Sequence, residues 1–423
     1  MDTDTTKQVI GCLCLLDRAP SLDEAKAVVA EVVATSPRLR DRVTKGGKLR
    51  WERSSTFDLD HHVTEEVFGL RNTAATLDEA VERVFLRPLD EARPPWRFTL
   101  FANRRDENTP DAPRAAFLFS GHHALSDGLG GLAFIERLCR GTKLAHATPT
   151  FSKHQANSTR PPIFKTAAQI FGLMFRQATT STSPLVGENT SLRKFTASTL
   201  SLDELLLQKS KLGVTLNDLL LGLLSRALTQ FHTVRGHRAE DLTAIVPVSI
   251  RRNANEIQLG NQLIPVSLKL PLTVTDLIEQ IRAVRARVNE MKENGSAVAY
   301  RALVELIGRL PDSVQKRLCE RQARQTHFIC TNVPASREAQ SFCGATILGK
   351  YGLPALLHGH GVGFSFITYT NKLCVSLITD PNVIDDPGEL LTLFREAKAE
   401  LAQRLGIGGQ EPVLDHQPTS AYH

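Results

Sequence analysis

Residues 137–187 contain no aspartate or glutamate but seven lysines and arginines, and on either side the chain alternates short apolar runs with amphipathic segments. This interruption constrains the fold most, because each flanking stretch carries the ingredients of a mixed sheet covered by helices. The expected class is therefore α/β (α+β) in two halves, 1–145 and 194–423, joined by a basic linker over 146–193. The 423 residues sum to a net charge of +6. The excess is a property of the linker region, and the remainder is close to neutral. A nucleic-acid binder needs a dense basic face, so nucleic acid is not an expected partner. No apolar run approaches the ~20 residues of a membrane-spanning helix. With 42% hydrophobic residues the chain can bury a real core, which excludes disordered and fibrous classes.

Punctuation places the elements. In the first half, residues 9–16 read as a buried strand that runs into the turn Asp17-Arg18-Ala19-Pro20. These residues follow two acids and one lysine, which is not the pattern of a secretion signal, and a cytoplasmic location is expected. Ser21 with Glu24 makes a capping box for a helix to about residue 34, and Thr76 starts a second helix over 77–85. Pro88, Pro94 and Pro95 keep residues 87–96 irregular. Strands follow over 97–103 and 114–120. In the second half, Thr215 to Asp218 caps an apolar helix over 219–231. Strands are expected at 243–250, 263–268, 328–332, 364–370 and 373–378, and helices at 274–292 and 387–405. Within the linker Ile163, Ala167, Ile170, Phe171, Met174 and Phe175 recur at helical spacing. Two readings stand for it: a linker helix packed on the body, or a peripheral contact with an anionic membrane or lipid-droplet surface. Seven scattered cysteines, an odd number, read as reduced core thiols.

One segment can do chemistry. An apolar strand from Phe117 runs into His122 and His123, then Asp127-Gly128, then an amphipathic helix. A histidine at a strand end sits on rigid backbone facing a cleft, where a general base must be. In extended chain the two rings point to opposite sides, so one can face the cleft and the other supports it. Asp127 can orient a ring as in a triad or hold the loop through a salt bridge, and Gly128 leaves room for a substrate. The spacing Gly128-x-Gly130 lacks the downstream acid of a dinucleotide site. A metal site would have to recruit His358 and His360, and no metal is expected. No G-x-S-x-G elbow or activated cysteine supports a covalent acyl-enzyme.

The residues His122, His123, Asp127 and Gly128 spell the H-H-x-x-x-D-G signature of the CoA-dependent acyltransferase superfamily, and the surrounding sequence resembles the bacterial-type wax ester synthase/diacylglycerol acyltransferase family. The resemblance rests on Pro88-Leu-Asp90 with Pro94-Pro-Trp96, on Asn217-Asp218, on Pro247-Val-Ser-Ile-Arg251 with Leu259-Gly-Asn261, on Thr331-Asn-Val-Pro334 and on Gly359-x-Gly361. It runs from about residue 8 to 405. The chain departs from the family at Pro95, Thr331, Ala335 and Thr368, and lacks a longer amino-terminal segment.

The resemblance implies two chloramphenicol-acetyltransferase-like subdomains with a tunnel between them. It also implies an O-acyltransferase that moves a fatty acyl group from acyl-CoA, a co-substrate, to a long-chain alcohol or diacylglycerol. His123 would be the general base, His122 its support, Asp127 a structural anchor paired with Arg40 or Arg251, Arg40 preferred, and Gly128 the point of substrate access. Asn217 and Asn332 would lie on the channel, although Asn217 also reads as part of a helix cap. Alternatives are a condensation-like module acting on a specialised alcohol or carrier-bound acyl group, or a non-catalytic lipid- or carrier-binding relative.

Overall fold

The structure is a computed structural model and describes residues 8–44, 50–69, 76–103, 114–140, 181–249, 263–293 and 296–407. Its elements in chain order are β1 (Val9–Leu16), α1 (Leu22–Ala34), a short 3-10 turn, β2 (Asp41–Thr44), β3 (Arg50–Arg53), α2 (Leu59–His62), β4 (Val63–Phe68), α3 (Leu77–Phe85), β5 (Trp96–Asn103), β6 (Ala115–His122) and α4 (Gly128–Arg140). The second half adds β7 (Lys194–Ser201), α5 (Leu202–Leu212), α6 (Leu216–Val234), β8 (Leu242–Ser249), β9 (Leu263–Leu270), α7 (Leu277–Glu293), α8 (Ser296–Ile307), α9 (Asp312–Ala323), β10 (Phe328–Pro334), β11 (Ser341–Phe342), β12 (Ala345–Leu353), β13 (Val362–Tyr369), β14 (Lys372–Thr379) and α10 (Pro387–Arg404).

Two six-stranded sheets organise these elements. The first runs β11-β12-β1-β6-β5-β4 and the second β7-β14-β13-β10-β8-β9. Both are mixed: β4 lies parallel to β5, and β10 lies parallel to β8 and β13, while the other pairs are antiparallel. Local chemistry sets the helix starts. Ser21 with Glu24, Thr76 with Glu79 and Thr215 with Asp218 each form a reciprocal capping box that satisfies otherwise orphaned N–H groups. Helix α6 buries Leu219, Leu220, Leu221, Leu223 and Leu224, an almost all-round apolar surface that only a core position satisfies. No single helix among the described residues is long and apolar enough to cross a membrane.

Two boundaries differ from the sequence reading. Strands β11 and β12 lie late in the chain yet complete the first sheet, with Cys12 opposite Gly352 and Cys14 opposite Lys350. Pairing of a distant strand is a tertiary effect that local pattern does not encode. The described end of the expected linker, 181–193, docks on the second half instead of bridging the two. Val186 bridges His360, Gly361 N–H donates to Leu185 at 2.8 Å, and buried Arg193 pairs with buried Asp380 at 2.9 Å. The linker helix expected near 163–175 lies outside the described residues.

Candidate active site

Strand β6 is central in its sheet, held by β1 on one side and β5 on the other, and it is buried along its length until His122. Its end is pinned by backbone. His122 N–H donates to Pro95 O at 2.9 Å, and His123 N–H donates to Gln8 O at 2.7 Å. A tight turn follows, closed by Leu125 N–H to His122 O at 2.9 Å. Asp127 then ends the turn as the N-cap of α4. Its carbonyl accepts from Gly131 N–H and its carboxylate from Gly130 N–H, both at 2.8 Å. The carboxylate is fully buried.

The two histidines have different tasks. His122 accepts at Nδ1 from Ala124 N–H at 3.1 Å, so its ring braces the turn. His123 is half-buried, and burial lowers its pKa below the ordinary histidine value. Its neighbour His122 lowers it too, while a ring bond to its own carbonyl and the Asp127 charge pull the other way. Neutral imidazole is thus the resting form at pH 7.

A small apolar pocket, partly open to solvent, adjoins this turn. Ile10, Cys12, Phe119, Leu125 and Leu132 line it together with His122, and Gly121, Gly128 and Gly131 border it; His123 is not among the lining residues. A β-carbon on Gly128 would meet Val333 of β10 at 3.7 Å, ordinary contact, so the start of α4 faces the second half across the boundary between the sheets. Gly131 has open space where a side chain would stand. On the β10 side, Asn332 Nδ2 donates to Asn217 Oδ1 at 3.2 Å, so the two expected channel residues meet each other. Asn217 also lies in the first turn of α6, two residues past its cap.

Arg40 is placed differently from expectation. Its guanidinium stands over the Phe57 ring, 5.5 Å from the centroid, and no ion pair joins it to Asp127 among the described residues. The stretch before it is instead tied to the Pro-Pro-Trp turn, because Trp96 Nε1 donates to Leu39 O at 2.8 Å. Arg251 lies outside the described residues. Of the metal alternative, His358 is exposed while His360 is buried and bonded to Thr326 Oγ1 at 3.0 Å, and no cluster of three ligating side chains occurs among the described residues.

Sequence reasoning overlooked a second His-His pair. His62 is sealed in the core, stacks on Trp96 at 4.3 Å and bonds its carbonyl at 2.8 Å through Nδ1; burial lowers its pKa to about 4. It lies between the Phe57 and Trp96 rings. The adjacent pair of letters is common to both sites, and only the strand-to-turn-to-helix context separates them. Cys12, read from the sequence as a core thiol, is buried and lines the pocket together with Ile10 and Gly11 of β1.

Comparison with known proteins gives a consistent picture. The profile of the wax ester synthase/diacylglycerol acyltransferase catalytic domain matches residues 10–170, and that of the carboxyl-terminal domain of the same family matches 259–402. A probable diacylglycerol O-acyltransferase of Mycobacterium tuberculosis is 23% identical over 392 residues, covering 86% of this chain and 83% of that one. An O-acyltransferase of Acinetobacter baylyi is 24% identical over 395 residues, covering 82% of each. Among solved structures, the wax ester synthase/diacylglycerol acyltransferase of Marinobacter aquaeolei superposes with a TM-score of 0.71 at 18% identity, over 96% of this chain and 97% of that one. The first condensation domain of the calcium-dependent antibiotic synthetase gives 0.63 at 14% identity, over 95% and 92%. At that identity the likeness shows a shared two-sheet architecture.

Proposed function

The chain belongs to the wax ester synthase/diacylglycerol acyltransferase family and is an acyltransferase, and we propose that it moves a fatty acyl group from acyl-CoA directly to the hydroxyl of a long-chain alcohol or diacylglycerol. The observation that carries this reading is the placement of His123, fixed by backbone just past the end of a central strand, one residue from the His122 that lines an apolar pocket and at the turn that begins α4 beside the second half.

In the proposed step the acceptor hydroxyl gives its proton to His123 Nε2 as its oxygen attacks the thioester carbonyl. The tetrahedral intermediate collapses by breaking the carbon–sulfur bond. The imidazolium then returns the proton to the departing CoA sulfur, so the enzyme ends as it began. Such proton transfer contributes about 10²–10⁴-fold, and holding donor and acceptor together contributes the rest through positioning. The other residues support this arrangement: His122 braces the turn, Asp127 caps α4, and Gly128 leaves the approach from the second half open. Asn217 and Asn332 stand as one hydrogen-bonded pair, proposed to border the acceptor's path. Because the acceptors are water-insoluble, the enzyme works at a lipid surface.

Incubating the purified protein with labelled palmitoyl-CoA and a panel of alcohols tests the reading. Labelled ester and free CoA should form in equal amounts, with long-chain alcohols or diacylglycerol the preferred acceptors. Label bound covalently to the protein before alcohol is added would contradict direct transfer.

A further inference from the structure

The turn between α8 and α9 is built from tight backbone bonds, Gly308 N–H to Val304 O at 2.9 Å, Arg309 N–H to Leu306 O at 3.1 Å and Leu310 N–H to Ile307 O at 3.0 Å. Its inner side is anchored. Gln315 Nε2 donates to Leu310 O at 2.7 Å, and buried Tyr300 reaches Ser267 of β9 at 2.7 Å. Around the turn three large apolar side chains stand exposed, Val304 at 51% and Leu306 at 46% on the last turn of α8 and Val314 at 40% on the first turn of α9. These are three of the seven large apolar side chains that stand exposed among the described residues. Along α9, Val314, Arg317, Arg321 and Arg324 recur at three- and four-residue spacing, so they form one stripe, and all are exposed. Lys316 and Arg309 are exposed beside it, with Lys316 4.0 Å from Glu320.

We infer that this hairpin is the surface by which the protein docks on an anionic lipid layer. An apolar tip followed by arginines has the complementarity such a layer demands. Valine and leucine enter the boundary between headgroups and acyl chains, and the long arginine stems lie along it with their guanidinium groups on lipid phosphates. The anchored inner side keeps the hairpin from collapsing onto its own apolar residues. The inference rests on the reading that the acceptor is dissolved in lipid, and it adds the face of the molecule that meets that phase.

The test uses the full chain and sedimented vesicles of phosphatidylcholine with and without phosphatidylglycerol. The unsubstituted protein should bind the anionic vesicles and release them at high salt. Arg317→Glu with Arg324→Glu, and separately Val314→Asp, should each lower the partition coefficient by about tenfold or more. Turnover of a water-soluble alcohol should stay unchanged in both variants, while turnover of an alcohol embedded in the vesicles falls with binding. Unchanged partition in both variants would overturn the inference. So would a raised KM for acyl-CoA in the charge-reversed variant with partition intact, which would assign the arginines to CoA phosphates. If the unsubstituted protein bound vesicles yet made no ester from any alcohol, the failure would lie in the proposed activity and not in the docking face.

Discussion

His122 and His123 are neighbours in sequence and unlike in environment, and the difference comes from where the strand stops. His122 is the last residue of β6, and its ring turns back to accept from Ala124. One residue later the ladder is over and His123 is free of the alternation that would have placed it in the sheet. Its pKa is lowered chiefly by burial. Sign follows directly: the base works when neutral, and lowering its pKa extends the neutral form to lower pH. The acid limb of kcat/KM should therefore have its midpoint below the ordinary histidine value of 6.5. A midpoint at or above neutrality would mean that another group titrates. The proposal that the second histidine is the reactive one comes from the family signature. Alternation said merely that one ring faces the cleft, and the sealed His62 shows how little an adjacent pair says alone.

At the scale of elements, chemistry that acts within one turn was readable and chemistry that acts across the chain was not. Three capping boxes mark the starts of α1, α3 and α6, because a Ser or Thr and an acid three residues on satisfy each other's backbone. Strand β1 was bounded correctly by its charged entry and its proline exit. Strand β12 carried no such mark. It contains Lys350, which is fully buried, bonded to Gln340 Oε1 and set 4.9 Å over the Tyr369 ring. A lysine in an apolar run argues for a surface, and only the distant partners reverse that. The same limit applies to Asp127. The sequence offered ring orientation or an arginine partner, and the structure adds a further role, the cap of α4, while Arg251 lies outside the described residues. Asp127→Ala should accordingly cost about 1–2 kcal/mol of stability. Asp127→Asn, which keeps a capping oxygen, should recover most of that in chemical denaturation. Equal losses in the two variants would show that the charge, and not the cap, is what matters.

Over the whole molecule, the two halves are joined by more than the segment between them. Strands β11 and β12 reach back into the first sheet, and Val333 of the second half lies against the start of α4. The reactive turn therefore sits where the halves meet, and its backbone is held by β1, by the Pro-Pro-Trp turn and by α4 together. The alternation of strands and helices on both sides of an acid-free stretch made two α/β halves legible. Their interlock was not, since it depends on pairing over more than three hundred residues. In the proposed reaction this arrangement serves one ring, that of His123. Kinetics of His123→Ala, matched to the unsubstituted protein in folded content, test this most directly. The account predicts a fall in kcat of about a hundredfold or more with acyl-CoA affinity nearly unchanged. Turnover within a few-fold of the unsubstituted protein, or a comparable loss in His122→Ala alone, would contradict it.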